Sequence, residues 1–130
     1  MERIMEQKEI TEKIIGCAYK VYNRMGFGYL ESVYEKCLMI ELQKMDLKLE
    51  NQKPITVYYD EEIVGDFIAD ILVNNEIIVE LKSVRTLNKK HEAQLVNYLV
   101  STGKNIGLLI NFAEQEVQVK RKIRILKKDP

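Results

Sequence analysis

Two charged residues interrupt an apolar run in the second half of the chain. Glu80 and Lys82 lie two positions apart in residues 76–82, where the residues between Ile77 and Leu81 are otherwise apolar. In a strand, this spacing places both side chains on one face, roughly 6.6 Å apart. Burying a carboxylate and an ammonium is costly unless they pair or bind a metal ion. A surface ion pair at a fraying strand end would explain the same spacing, so both interpretations stay open.

Asp70 is the second anomaly, because it interrupts the apolar residues 67–73. Asp66 would face the same side of a strand as Asp70, but it lies nearer the start of the predicted strand. Asp70 and Glu80 fall on neighbouring strands of a predicted hairpin, so the two side chains can approach each other. Two close carboxylates repel unless a cation lies between them. Oxygen ligands without His or Cys favour Mg²⁺ or Mn²⁺.

The hairpin between these strands decides whether Asp70 and Glu80 share a face. A strict two-residue turn at residues 74–75 opposes Asp70 to Val79, which puts the two carboxylates on opposite faces. A shared face requires a loop of odd length, such as residues 74–76, or a β-bulge. We therefore predict this irregularity, since a regular ladder through both residues would rule out a shared metal ion.

Two further groups of polar residues are candidates with ordinary alternatives. Glu31 lies in the first turn of a predicted helix, where the helix dipole alone favours a carboxylate, and Tyr34 follows one turn later. Gln94 and Tyr98 are four residues apart on one face of a later helix. A polar stripe on a solvated helix face is the ordinary explanation for that second pair.

Hydrophobic periodicity predicts eight elements that would position these side chains. Amphipathic helices are predicted over residues 10–25, 30–45 and 89–101, with Thr11 or an earlier residue as the first cap and Gly103 as the last. Strands are predicted over residues 47–50 with 55–59, 63–73, 76–82, 106–112 and 117–126. Pro54 allows the first of these to be one bent edge strand or two pieces.

The order α-α-β-β-β-α-β-β predicts one α/β domain over residues 1–130, with a mixed β-sheet flanked by helices. The helix between residues 76–82 and 106–112 is long enough for a crossover between parallel strands.

Cys17 and Cys37 lie within apolar patterns, which is typical of buried structural thiols. The single His91 cannot build a histidine-based zinc site.

Charge is balanced overall but uneven along the chain. Residues 1–81 carry 9 Lys and Arg against 16 Asp and Glu, whereas residues 82–130 carry 11 against 4, so the halves have net charges of −7 and +7. A basic second half indicates either a phosphate-bearing partner or a solvated basic surface.

No apolar run approaches the roughly 20 residues that cross a membrane, and no signal peptide is predicted at the N-terminus. The expected compartment is the cytoplasm.

Taken together, the candidate residues resemble a known set. Residues 28–34, Gly-Tyr-Leu-Glu-Ser-Val-Tyr, resemble the signature of the GxxExxY family of the PD-(D/E)xK nuclease superfamily. Asp70, the Glu80-Leu81-Lys82 tripeptide and residues 94–98 follow in the expected order. They are similar to the metal aspartate, the ExK motif and the QxxxY motif of that superfamily. The resemblance runs from about residue 10 to 122, and it departs at Ala69, where the superfamily often has proline.

The resemblance implies a PD-(D/E)xK nuclease-like fold and a divalent-metal-dependent nuclease, with DNA as the favoured polymer. Asp70 and Glu80 would bind Mg²⁺ or Mn²⁺, Glu31 and the Leu81 carbonyl would complete the shell, and Lys82 would orient or deprotonate a water. Gln94 and Tyr98 would hold the active-site strand or the nucleic-acid backbone. The expected phosphate contacts come from basic residues of the second half, namely Lys89, Lys90, Lys120, Arg121, Lys122 and Arg124. His91 could contact a phosphate as well, or be an ordinary surface histidine.

Two other functions are compatible with the same residues. The fold could serve as a catalytically weak or inactive module that binds nucleic acid or a protein partner. It could also hydrolyse small nucleotides, although a mononucleotide needs few of the basic residues. A chain of 130 residues offers little surface to wrap a duplex, which favours a homodimer.

Overall fold

The computed structural model describes residues 6–124, and it confirms the predicted order of helices and strands. The α/β fold has eight elements. They are α1 (Gln7–Met25), α2 (Glu31–Gln43), β1 (Leu49–Tyr59), β2 (Glu62–Val73), β3 (Ile77–Lys82), α3 (Lys89–Thr102), β4 (Ile106–Phe112) and β5 (Val117–Ile123).

The five strands form one mixed sheet in the order β1-β2-β3-β4-β5. Its neighbours are antiparallel except β3 and β4, which are parallel, as the crossover through α3 predicted. The strand β1 runs without interruption through Pro54 at an edge of the sheet, so the single edge strand is the correct alternative. An edge strand can accommodate a proline where the missing N–H would have faced away from the neighbouring strand.

Helices cover both faces of the sheet. The larger hydrophobic cluster joins α1 and α2 to one face and includes Ile77, Val79 and Leu81 of β3. The smaller cluster joins α3 to the other face and includes Ile78 of the same strand. The strand is apolar on both faces because both faces are covered, and this explains why its sequence shows no alternation.

Some element ends differ from the prediction. The first helix begins at Gln7 with Glu6 as its N-cap, so the earlier-residue alternative is correct, although Glu6 makes no side-chain cap bond. Thr11 is not the cap, because it lies buried inside α1 and its hydroxyl donates to the Lys8 carbonyl at 2.8 Å. The last strand ends at Ile123, and residues 125–126 of its predicted range lie outside the described residues. Cys17 is buried as predicted, while Cys37 is only half-buried.

A two-stranded extension projects beyond the sheet. The ladder between β1 and β2 continues to Tyr59↔Glu62, whereas β2 pairs with β3 only from Ile71 to Val73. We call residues 53–69 the hairpin arm. Asp60 and Glu61 turn the arm with φ values of +49° and +65°, the geometry of a type I′ turn. The arm exposes four large apolar side chains near its tip, those of Tyr58, Tyr59, Ile63 and Val64.

No helix among residues 6–124 is long and apolar enough to cross a membrane.

The contact between α3 and β4 leaves no room for a side chain at Gly107. A Cβ added there would lie 2.7 Å from Cδ1 of Leu95, which is itself buried. Gly107→Ala is therefore expected to destabilise the fold by about 1–3 kcal/mol. Urea denaturation would measure this, with Gly16→Ala as the control. An added Cβ meets nothing within 4 Å at Gly16, in the middle of α1, so that change should stabilise. A neutral Gly107→Ala would contradict the close packing.

Candidate metal centre and active site

The loop between β2 and β3 brings Asp70 opposite Glu80. The strands are joined by the three residues 74–76, and the ladder pairs Ile71 with Val79. Continuing that register places Asp70 across from Glu80, and the regular pairs stop at Ile71. The predicted departure from a two-residue turn is therefore confirmed. The Leu81 N–H donates to Oδ2 of Asp70 at 2.8 Å, and the Asp70 N–H lies 3.4 Å from Oε1 of Glu80.

Side-chain alternation along β2 breaks at Asp70. Ala69 packs in the cluster under α3, whereas Ile71, two residues later, packs in the cluster under α1 and α2. On β1 the facing residue is Gln52, which has a φ of +51° and forms no ladder pair with Asp70, although the residues on both sides do pair. The alternation of side chains between the two faces of the sheet is therefore interrupted at this point, which allows the charged side chain of Asp70 to lie outside the core.

Glu80 is held in a setting that disfavours its charge. Its side chain is 8% exposed. Burial, followed by the nearby negative charge of Asp70, raises the pKa of Glu80 to about 8, while the charge of Lys82 acts in the opposite direction. At neutral pH the metal-free carboxyl therefore holds a proton. A cation bound between Asp70 and Glu80 would favour the ionised form.

The donor set fits a hard divalent cation. Mg²⁺ commonly takes one or two protein carboxylates and leaves its other positions to water and substrate phosphate. Within residues 6–124, no group of three or more His, Cys, Asp or Glu side chains is arranged to hold a metal ion. The pair formed by Asp70 and Glu80 therefore fits a cation held by two carboxylates rather than by a closed protein cage.

Lys82 shares a sheet face with Glu80. In the parallel ladder Glu80 pairs with Leu109 and Lys82 pairs with Asn111, and Leu109 packs under α3. Both charged side chains of β3 therefore project toward the side of the sheet that carries α3. Lys82 is half-buried at the carboxyl end of the strand.

A buried asparagine fixes the segment that follows Lys82. Asn111 is fully buried; its Oδ1 accepts from the Val84 N–H at 2.9 Å, and its Nδ2 donates to the Val84 carbonyl at 2.8 Å. On the other side, the Ser83 hydroxyl donates to the Tyr29 carbonyl at 2.9 Å. Sequence reasoning missed Asn111, although a single amide within an apolar strand was a visible signal.

Gln94 and Tyr98 lie over the same face. Tyr98 stacks on Phe67 of the hairpin arm, with ring centroids 3.4 Å apart. Burial and the charge of Glu80 raise the pKa of the Tyr98 hydroxyl, and a hydrogen bond with Gln94 acts in the opposite direction. The fold therefore brings Tyr98, with Gln94 as its hydrogen-bond partner, next to the carboxylate pair, whereas their spacing alone indicated an ordinary polar stripe.

The carboxylate of α2 that approaches Asp70 is Glu35, one turn after Glu31. Oε1 of Glu35 accepts from Nε2 of Gln52 at 2.6 Å, and that nitrogen lies 3.5 Å from Oδ1 of Asp70. Burial raises the pKa of Glu35, and the charges of Asp70 and Glu31 add to this effect. Glu31 itself is exposed in the first turn. The sequence did not single out Glu35 or Gln52.

Tyr34 has a structural explanation. It is fully buried and stacks on Phe112, with centroids 4.2 Å apart. Its hydroxyl donates to the Gly26 carbonyl and accepts from the Tyr29 N–H. Tyr34 therefore secures the loop between α1 and α2 at the end of the sheet where Lys82 lies.

The basic residues of β5 divide between two faces. Lys120 pairs with Leu109, which pairs with Glu80, so Lys120 lies in the same row and on the same face as Glu80. Two strand spacings separate them by about 10 Å. Lys122 shares that face, whereas Arg121, at the intervening position, projects to the opposite face. Of these residues, Lys120 is the exposed one on the side of the carboxylates.

Two of the predicted phosphate contacts already have protein partners. Lys122 forms an ion pair with Glu92 at 2.6 Å. Arg124 donates to the Gly103 carbonyl at 3.0 Å. Phosphate binding by either side chain would compete with these contacts.

Three more predicted contacts lie at the amino end of α3. Lys89 and Lys90 are exposed. His91 forms a capping box with Asn88: its N–H donates to the Asn88 side chain at 3.1 Å, and its Nδ1 accepts from the Asn88 N–H at 3.4 Å. The imidazole therefore has a structural role at the helix start, with only Nε2 left for another partner.

Comparison with known proteins agrees with this architecture. Residues 8–123 match the sequence model of the PD-(D/E)XK nuclease superfamily. Among solved structures, the crystal structure of SSO0001 is similar with a TM-score of 0.60 at 17% identity, over 75% of this chain and 52% of that protein. At that identity the likeness concerns the fold alone, and this chain spans about half the length of SSO0001. No curated protein matches the chain.

Proposed function

The chain belongs to the PD-(D/E)XK nuclease superfamily, and on that premise we propose that it is a divalent-metal-dependent nuclease that hydrolyses phosphodiester bonds, with DNA as the favoured polymer. Within the superfamily, residues 28–34 support the GxxExxY family. The observation that carries the proposal is the register that opposes Asp70 to Glu80, with Lys82 two residues later on the same face.

Asp70 and Glu80 are the residues that would hold Mg²⁺ or Mn²⁺. When bound, such an ion supplies an acidified water and positive charge against the phosphate. Asp70 is oriented for this role because the Leu81 N–H occupies its Oδ2 at 2.8 Å. Glu80 would give up its proton as the cation binds, which makes binding stronger as pH rises toward 8. The roles of Glu31 and of the Leu81 carbonyl stay predictions.

Lys82 would orient the attacking water or take its proton, and its charge would stabilise the additional negative charge of the transition state. Gln94 and Tyr98 would stabilise the active-site strand or the nucleic-acid backbone on the side of the sheet where cleavage occurs. Lys120 lies in the row of Glu80 and supports a path for the nucleic-acid backbone across the sheet. Beside it a pocket of about 400 Å³ opens between the segment after β3 and β5, lined in part by Thr86 and Gln118.

Replacing Asp70 tests the proposal directly. Cleavage of supercoiled plasmid and of single-stranded DNA in Mg²⁺ should be abolished by EDTA, and Asp70→Asn should reduce it by at least about 100-fold. Loss of a residue that only supports a metal ligand already costs about 10–100-fold. Asp66→Asn is the matched control, because Asp66 lies exposed on the same strand. It should retain wild-type activity.

Each other outcome identifies a different function. Tight DNA binding without metal-dependent cleavage would contradict a nuclease and indicate a binding module. Hydrolysis of nucleotides but not of polymers would indicate a small-molecule phosphohydrolase.

A further inference from the structure

Gln52 occupies an unusual place on β1. Its φ of +51° is left-handed, a backbone conformation that residues other than glycine, asparagine and aspartate rarely adopt. It forms no ladder pair with Asp70, although both of its neighbours are paired with β2. Strand β1 therefore lacks a regular pair at this point, and the amide side chain of Gln52 points toward the carboxylates.

The Gln52 amide stands between two carboxylates from different elements. Nε2 lies 2.6 Å from Oε1 of Glu35 on α2 and 3.5 Å from Oδ1 of Asp70 on β2. A primary amide carries two N–H donors on one nitrogen, so it can serve both acceptors at once. Without such a donor, two neighbouring carboxylates would repel each other.

Asp70 is consequently fixed from both sides. Its Oδ2 accepts from the Leu81 N–H of β3 at 2.8 Å, and its Oδ1 faces Gln52 of β1. Fixing both oxygens sets the plane of the carboxylate, and with it the direction of the lone pairs that remain for a cation. Partners that orient a metal ligand in this way strongly affect metal affinity.

We propose that Gln52 is a positioning residue of the metal centre, whose amide sets the orientation of Asp70 and links it to Glu35 as a third carboxylate outside the metal-binding pair. This inference rests on the proposed function, because it assumes that Asp70 and Glu80 bind a cation. It gives Glu35 a role through Gln52 that is separate from the predicted role of Glu31 as a metal ligand.

The backbone at Gln52 determines which variants are informative. Gln52→Gly removes the amide and accepts the left-handed conformation without strain. Gln52→Asn also tolerates that conformation, but its amide is one methylene shorter and cannot reach both carboxylates equally. Glu35→Gln keeps a hydrogen-bonding side chain and removes only the charge. Gln115→Ala, in the exposed turn between β4 and β5, is the matched control.

Mn²⁺ binding to the purified full chain, measured by titration calorimetry at pH 8.5, tests the inference. We expect Gln52→Gly to weaken binding by about 10–100-fold, and Gln115→Ala to leave it unchanged. Glu35→Gln should also weaken binding. The loss in the double variant should be smaller than the sum of the two single losses, because the residues act through one network. The melting temperatures in EDTA serve to show that each variant is folded.

The outcomes separate this inference from the proposed function. If the wild type binds Mn²⁺ and Gln52→Gly binds it equally well, the inference is wrong and the nuclease proposal stands. Additive losses would also overturn it, since they would show that Gln52 and Glu35 act independently. If the wild type binds no Mn²⁺, both fail together. Should Gln52→Gly not fold, wild-type affinity in Gln52→Asn would overturn the inference.

Discussion

Lys82→Ala is expected to lower the rate of DNA cleavage by about 10²–10⁴-fold, the usual contribution of a positioned acid–base group. The lysine lies beside Glu80 on the face that carries α3, and its charge already acts on that carboxylate. Because the side chain is half-buried at the end of β3, its removal should leave the fold intact. Single-turnover cleavage in Mg²⁺ would measure the loss.

A further variant shows whether the charge of Lys82 or proton transfer by Lys82 accounts for the loss of cleavage rate. Lys82→Arg keeps the positive charge but cannot lose its proton, so partial activity in that variant would indicate an electrostatic role. Lys8→Ala is the matched control, since Lys8 is an exposed lysine at the start of α1, on the opposite side of the sheet from α3. Equal activity of wild type and Lys82→Ala would rule out the mechanism.

Glu80→Gln is expected to stabilise the metal-free protein at alkaline pH while it abolishes metal binding. The pKa of Glu80 is raised to about 8 in the folded state, above its usual value of 4.5. The native state therefore holds a proton that the unfolded chain releases, so stability falls as pH rises from about 4.5 to 8. At pH 8.5 the neutral amide should recover roughly 2–4 kcal/mol of that loss.

Urea denaturation in EDTA between pH 5 and pH 8.5 would measure the effect. The wild type should lose stability across this range and the variant should show a flatter profile. Adding Mn²⁺ should stabilise the wild type alone, because only a state that binds the ion gains from it. Glu62→Gln, at an exposed position of the hairpin arm, is the control. Parallel profiles for wild type and Glu80→Gln would contradict a raised pKa.

The elements and their order follow from local patterns, which is why they could be predicted. Strand β4 was predicted at its observed bounds because both faces are apolar and a C-cap glycine and a polar turn delimit it. That Asp70 lies opposite Glu80 could be inferred because the period of a strand is two, which leaves only a few registers to consider.

The surroundings of the carboxylates could not be predicted, because they depend on how a helix is rotated and on one backbone angle. Glu31 and Glu35 are one turn apart and look equivalent in the sequence, yet packing of α2 brings Glu35 to Gln52. Nothing in the sequence marks Gln52 as left-handed. The alternation of β5 would have separated Arg121 from Lys120, but the pairing of Lys122 with Glu92 arises only when α3 packs on the sheet.

The hairpin arm has a consequence for the behaviour of the protein in concentrated solution. Its tip combines exposed Tyr58 and Tyr59 with an unpaired strand edge, a composition that invites sheet-to-sheet aggregation. The acidic turn, residues 60–62, lies between the apolar stretches and acts as a gatekeeper through mutual repulsion between copies. Neutralising this turn, or screening it with high salt, would remove that protection and favour edge-to-edge association of otherwise native molecules.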